Sequence, residues 1–533
     1  MTAQSDIWDE LVIGAGSAGC ALVHRLTQDP SRRVLLIEAG GTNRAWPVKV
    51  PSGVGRAVQS PEHDWGYKSQ PDPSRGGKID ICYRGRGLGG SSAINGMVYV
   101  RGAPSDYDRW AHTGNDGWDW QSVEPIFRAL ETPMANRARG DDGPLATRQI
   151  TRPHSTTTAF LRAAEAAGLP ILDDYNEGVQ EGVALVELTQ KRGLRNSAAD
   201  AFLRPILSRP NLTVRTECTV ERVLIDGLRA TGAVIRSARG VEEIAARRII
   251  LCAGSINTPK ILMLSGIGDA AYLRSLGITS VLDNPHVGRN LREHPLVRLQ
   301  YATHVPTYND ARAPLKALGH AANFLMHGEG PITGVFEAVG FLRSRPDLAG
   351  PDLQLHFLPI AIAQDPSGRL ASGRRSGVSV YINKSHPESR GELRLASADP
   401  NDAPLIAYKL VESDADIETL VDGMAKVQAM MAEPPISDLI VGQISPDFCV
   451  TSVSRAAAAD FVRQNAEPAY HPSGTCAMGK GNEAVVTPRL QVAGLEGLFV
   501  ADASIMPDLI SGNTNAACMM IGDRLGRWLL EEV

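Results

Sequence analysis

A short apolar run, Leu11-Val12-Ile13, feeds straight into Gly14-Ala15-Gly16-Ser17-Ala18-Gly19. A helical pattern follows through Cys20, Ala21, Val23, His24 and Leu26, closing near Asp29-Pro30. A second apolar run, Val34-Leu35-Leu36-Ile37, ends at Glu38. This order of strand, glycine turn, helix and strand matches the βαβ unit that binds dinucleotides, in which glycines open the helix and let a pyrophosphate approach the backbone. The N–H groups at the helix N-terminus would hold the phosphates. Gly14, Gly16, Ser17, Ala18 and Gly19 are therefore candidate cofactor contacts. Glu38, nineteen residues beyond Gly19, would accept hydrogen bonds from an adenosine ribose, with Ala39 beside it. The motif does not separate FAD from NAD, but an acid at the ribose disfavours the 2′-phosphate of NADP.

A second glycine-rich stretch runs Gly85-Arg-Gly-Leu-Gly-Gly-Ser-Ser-Ala-Ile-Asn95. Glycine lets a backbone turn sharply or approach a ligand closely, and Ser91, Ser92 and Asn95 add hydrogen-bonding groups. Such a segment suits a large, flat, polar-edged cofactor, although Gly/Ser composition alone also marks flexible loops. Further on, Asn211–Thr216 and Cys218–Ile225 alternate in the manner of strands. Arg247-Arg-Ile-Ile-Leu-Cys-Ala-Gly254 reads as a buried strand ending in glycine, followed by a turn at Gly254–Pro259, a short helix and a second glycine turn at Gly268. Near the end come Tyr470-His-Pro-Ser-Gly-Thr475, an apolar strand ending at Asp502, Ser511-Gly-Asn-Thr-Asn515 and a final helix.

The 533 residues, 43% hydrophobic and 21% charged, are ordinary globular composition with material for a large core. Length alone suggests about three or four domains. A net charge of −5 leaves no electrostatic footprint for nucleic acid. The polar, acidic start Met1–Glu10 lacks the pattern of a signal peptide. No apolar run approaches the ~18 residues of a membrane span, which leaves only peripheral membrane contact open. Seven cysteines without a Cys-x-x-Cys pair carry no metal spacing and point to reduced thiols and a cytoplasmic setting. The region from about Tyr301 to Asp460 has no glycine motif; it mixes strands (Leu353–Leu358, Val378–Ile382, Glu392–Leu395) with a helix over Ile417–Met431 and reads as a sheet-and-helix domain of its own.

Together these motifs resemble the glucose–methanol–choline (GMC) oxidoreductases, a family of FAD enzymes, along essentially the whole chain. Gly85–Tyr99 follows the family's first signature and Gly254–Gly268 the second, and Gly288-Arg-Asn-Leu-Arg-Glu-His294 is similar to its Gly-x-Asn-Leu-x-x-His segment. The resemblance implies an α/β fold: a Rossmann-like FAD-binding domain with an inserted α+β substrate domain built on an antiparallel sheet. The expected boundaries are 1–150, 195–298 and 466–533 for the first and 151–194 and 299–465 for the second. It places Val220 against the adenine, Asp502 and Ala503 near the ribityl–pyrophosphate linker, and Arg86, Gly89, Gly90, Ser91, Asn95 and Gly96 along the pyrophosphate and isoalloxazine. Ala253, Gly254, Asn513 and Thr514 complete the expected FAD contacts. In some relatives a histidine of the glycine loop bonds the flavin covalently. The corresponding position here is Ile94, so FAD is expected to be noncovalent. No metal site is expected.

Oxidising an alcohol removes a hydroxyl proton and a hydride, which the flavin takes at N5. His471 falls on the family's catalytic histidine, and imidazole, largely neutral at physiological pH, suits a general base. Asn513, six residues after Pro507, falls on the second family position; it can hold a hydroxyl but cannot act as a base, and Asn515 is its rival. The C-terminal pattern favours the bacterial alcohol, choline and sorbose dehydrogenase-like branch and a primary alcohol of moderate size. Choline would call for an aromatic or acidic cage, and none is identified in the sequence. The acceptor is a quinone-type carrier or oxygen. Ala469, two residues before His471, is small where some relatives carry a larger aliphatic residue. A pyridoxine- or hydroxymethylfurfural-type alcohol oxidase is the alternative, and a hydroxynitrile lyase-like flavoprotein a more distant one.

Overall fold

The structure, a computed structural model, describes residues 7–134, 137–311, 314–364 and 370–531; the polar start at Met1–Asp6 lies outside them. β1 (Trp8–Ile13), α1 (Ser17–Leu26) and β2 (Val34–Ile37) form the first unit. β1 pairs in parallel with β2 and with the end of a long strand, β3 (Gly240–Leu251). Strands Leu212–Arg215 and Leu498–Val500 extend the parallel part, flanking β2 and β3. Leu11, Val12 and Val34–Ile37 are almost fully buried, as expected of parallel strands covered on both faces, whose sequences read as unbroken apolar runs. The other end of β3 turns into an antiparallel meander with Arg229–Ser237 and Thr219–Asp226. Directly after β3, α2 (Gly254–Leu264) begins at Gly254 itself, where a turn is expected from sequence. Pro259 is tolerated inside it.

The second sheet is antiparallel. Its order is Ile440–Ser445, Pro295–Thr303, β5 (Gly377–Lys384), β4 (Leu353–Leu358), Ala338–Leu342 and Gly182–Leu185. Two expected domain boundaries fall inside this sheet. The strand from Pro295 to Thr303 runs through position 298/299, and Glu467-Pro468, beyond 465/466, pairs with its first residues. The outer face of the sheet is apolar: Phe357 stacks on Phe160 of the helix Ser155–Ala166 with ring centroids 4.5 Å apart. Leu353 and Ile382 lie against Gly423 in the helix Asp414–Met431. The inner face looks toward the dinucleotide unit.

The final helix, α3 (Asn515–Glu531), locks the two ends of the chain together. Ser17 Oγ donates to Asn515 Oδ1 at 2.7 Å, and Arg25 pairs with the buried Asp523 at 2.8 Å. Among the described residues no helix is long and apolar enough to cross a membrane, all cysteines are free, and no cluster of metal-ligating side chains exists.

Candidate active site

A cavity of about 1030 Å³ lies between the two sheets, at the carboxyl ends of β1 and β3. This is where open α/β sheets bind ligands. One end is walled by Gly14, Gly16, Ser17, Ala18, Glu38, Ala39 and Val220; the middle by Arg86, Gly90, Ser91, Asn95, Gly96, Ala253, Gly254, Asp502 and Ala503; the far end by His471, Asn513 and Thr514. Segments from both ends of the sequence thus meet on one surface. Gly19 and Gly89, expected as cofactor contacts, lie outside that wall. A Cβ on Gly19 would sit 2.0 Å from Gly14 O, so this glycine serves helix–strand packing. Gly89 N–H donates to Ala15 O at 2.8 Å and ties the second glycine loop to the first.

The wall fits a dinucleotide. Gly16 caps α1 without a side-chain hydrogen bond, and the first turn carries no acidic residue. Its free N–H groups can therefore take phosphate oxygens. Gly254 has φ +82° and nothing within 4 Å of a Cβ position, so bare backbone faces open space where a flat ring system could lie. Glu38 holds three segments together: Oε2 accepts from Ala15 N–H, and Oε1 from Gly40 and Gly87 N–H, each at 2.9 Å. Two carboxylate oxygens offer about four lone pairs, leaving room for a ribose hydroxyl. Asp502 accepts from Gly254 N–H (2.8 Å), the Thr258 hydroxyl (2.6 Å) and Ser504 N–H (2.8 Å); burial still raises its pKa. Ile94 is buried against Val48, Ala57 and Ala93 on the same loop.

At the far end one hydrogen-bond chain fixes the histidine protons. Ser385 O lies 2.8 Å from His294 Nε2. A carbonyl only accepts, so this nitrogen carries the proton. Burial lowers the His294 pKa to about 3, which keeps the ring neutral and makes Nδ1 an acceptor. His471 Nδ1 sits 3.0 Å from it and must donate. His471 Nε2 is thereby left with its lone pair, accepting from Asn513 Nδ2 at 3.1 Å. Asn513 Oδ1 in turn accepts from Gln354 Nε2 at 3.1 Å and faces His356 Nε2 at 3.4 Å. Every group in the series points its proton the same way. Burial first, then the neighbouring His294, His356 and Arg84, hold the His471 pKa well below 6.5.

The backbone is shaped to present this ring. Tyr470, immediately before His471, has φ +66°, a conformation that costs a non-glycine residue about 1–3 kcal/mol and persists only where the surroundings enforce it. Arg84 donates to Tyr470 O at 2.5 Å. Glu293 Oε1 accepts from the backbone N–H groups of His471 and His294 at 2.7 and 3.0 Å, and burial raises the Glu293 pKa to about 8. Asn513, not Asn515, reaches His471; the Asn515 carbonyl is taken by Ser17.

Sequence reasoning did not single out Glu293, His294, Gln354, His356 or Asn383 as functional. The clue to Gln354 and His356 was their alternation in a strand buried along its whole length.

The comparisons agree with this architecture. Family models described as GMC oxidoreductase match residues 8–296 and 387–522. The chain is 38% identical to the mitochondrial choline dehydrogenase of Mus musculus, over 97% of this chain and 89% of that protein. It is 37% identical to the oxygen-dependent choline dehydrogenase of Sinorhizobium fredii, over 98% and 95%. Among solved structures, pyridoxine 4-oxidase from Mesorbium loti aligns with a TM-score of 0.90 at 29% identity, covering 98% of this chain and 99% of that one. A formate oxidase aligns with a TM-score of 0.90 at 25% identity, covering 99% of each. The chain belongs to the GMC oxidoreductase family and is an FAD-dependent oxidoreductase acting on CH–OH donors.

Proposed function

We propose that this enzyme oxidises a neutral primary alcohol to the aldehyde, with His471 Nε2 taking the hydroxyl proton and Asn513 holding the hydroxyl. The supporting observation is the direction of the hydrogen-bond chain, which makes His471 Nε2 an acceptor on the cavity wall, met by Asn513 Nδ2 where a substrate hydroxyl would come between them. Bound FAD supplies the hydride acceptor. When His471 takes the proton, its Nδ1–H stays on His294, so the ring does not turn during the transfer. A positioned base of this kind contributes about a hundred- to ten-thousand-fold.

The choice of a neutral alcohol rests on the charge of the wall. Among the described residues the only lining carboxylates are Glu38 and Asp502, both held by backbone amides of the glycine turns and helix starts. The substrate end is walled by Leu296, Val335, Phe336, Leu358, Ile362 and Tyr381. A quaternary ammonium would find no anion there, only the rings of Phe336 and Tyr381, 6.3 Å apart and nearly perpendicular, so the missing countercharge is what favours a neutral alcohol over the choline of the relatives. Anaerobic mixing with a panel of alcohols tests this: neutral primary alcohols should bleach the oxidised flavin, and choline should do so much more slowly. Choline as the fastest reductant would overturn the assignment.

A second reading concerns the acceptor. Ala469 is a small residue on the cavity wall, which favours access of oxygen. Reoxidation of the reduced enzyme by air as fast as by a quinone would support an oxidase; slow reoxidation by air would support a dehydrogenase.

A further inference from the structure

The chain of hydrogen bonds around His471 ends on a residue that substrate does not reach. Gln354 lies on β4 opposite Asn383 of β5 and is 1% exposed. It is absent from the cavity wall, whereas His356, two residues along the same strand, is part of it. Its Nε2 donates to Asn513 Oδ1 at 3.1 Å. Among the described residues its side chain makes no other hydrogen bond, since Oε1 has no partner. Burying an amide is costly unless its groups are paired. A glutamine kept for a single contact therefore adds little to the fold, and its role lies at the other end of that contact.

An amide keeps nearly the same shape when its oxygen and nitrogen exchange places, and only its partners decide which end faces where. Asn513 is held from both sides. Its Nδ2 donates to His471 Nε2 at 3.1 Å, while its Oδ1 accepts from Gln354 and faces His356 Nε2 at 3.4 Å. A hydroxyl coming between Asn513 and His471 replaces the first contact and leaves the contacts at Oδ1 in place. We propose that Gln354 is a positioning residue: it keeps the Asn513 amide turned with its N–H toward the reacting oxygen throughout proton transfer. In that step the substrate O–H bond breaks, the proton joins His471 Nε2 and the oxygen keeps the electron pair. A donor aimed at charge that develops during the reaction is worth more than one aimed at the ground state. The reversed amide would set Oδ1 against the same oxygen and repel it. His356 supports the productive orientation from a longer distance. This inference rests on the reading above that Asn513 holds the hydroxyl.

Gln354→Met keeps the length of the side chain and removes its donor. In the FAD-loaded variant the limiting rate of anaerobic flavin reduction by a primary alcohol should fall about tenfold, the scale of one neutral hydrogen bond, with the half-saturating alcohol concentration less changed. The melting temperature should hold or rise, because a buried amide gives way to an apolar group of similar size. In the Asn513→Ala background the same substitution should change the rate by less than about twofold, since a residue that acts only through another is not additive with it. Wild-type reduction in Gln354→Met would overturn the proposal. So would an equal loss with and without Asn513, or a variant that fails to fold or to hold FAD; either result would make Gln354 a packing residue of the sheet. These outcomes leave alcohol oxidation intact. If Asn513→Ala alone reduces its flavin as fast as the wild type, the reading beneath fails and this inference with it.

Discussion

Replacing His294 with leucine separates the tautomer of His471 from its mere presence. In the native chain His471 Nδ1–H has an acceptor at 3.0 Å and Nε2 accepts from Asn513 Nδ2 at 3.1 Å, and the two contacts together keep the Nε2 lone pair as the base. In His294→Leu that buried N–H loses its partner, a cost of about 1–3 kcal/mol. The ring escapes the cost by moving its proton to Nε2, where it can no longer accept one from substrate. At roughly 1.36 kcal/mol per factor of ten, the competent tautomer falls to about one in five to one in 150, and the rate of flavin reduction falls in proportion. A tautomer ratio does not depend on pH, so the loss should be uniform across the pH profile and should not be recovered in alkali. His294→Asn keeps an oxygen near the Nδ1 position and should recover most of the rate. The assay is anaerobic stopped-flow reduction at saturating alcohol, with FAD content measured alongside. Wild-type rates in His294→Leu, or a loss that alkali repairs, would refute the tautomer argument.

Three further outcomes follow from the same contacts. Acid precipitation should release intact FAD into the supernatant, because Ile94 offers no nucleophile on the flavin loop; flavin retained on the denatured chain would contradict this. Glu38→Ala strips the acceptor from three backbone amides and should lower both the melting temperature and FAD retention; an unchanged melting curve with full flavin content would count against the clamp. Stability should fall as pH drops below 6.5. Burial lowers the pKa of His24 and His356 to about 4, of His294 to about 3 and of His471 well below 6.5, so in that window the unfolded chain binds protons that the native state refuses. Glu293, raised to about 8, and the carboxyls of Glu10, Asp64, Glu131, Glu337 and Asp502, also raised by burial, work in the opposite sense, so the imidazoles set the sign just below 6.5, where the histidines of the unfolded chain first take up protons. Urea unfolding at a series of pH values checks the sign; equal or greater stability at pH 5 than at 6.5 would be inconsistent with buried neutral imidazoles.

The sequence made the dinucleotide unit legible because its physics is local. Parallel strands covered on both faces must be apolar throughout, and the glycines sit where helix meets strand. Both properties survive in a window of thirty or so residues. The substrate sheet was legible as strands but not as a site. Alternation of Gln354 and His356 with apolar neighbours usually marks a solvent face, whereas here the polar face lines an internal cavity and the apolar face packs under two helices. The pairing of Pro295-Leu296 with Glu467-Pro468, across the expected boundaries at 298/299 and 465/466, leaves no local signal. His294 was visible only as part of a motif. Its work depends on His471, 177 residues away, and on a carbonyl at Ser385, and no spacing rule connects the three.

The central claim is that His471 takes the hydroxyl proton. The most direct measurement is anaerobic stopped-flow reduction of the flavin in His471→Ala beside the wild type, with the same primary alcohol and the same FAD content. The account predicts intact FAD binding and a reduction rate lower by about a hundred- to ten-thousand-fold. Reduction at close to the wild-type rate would contradict it.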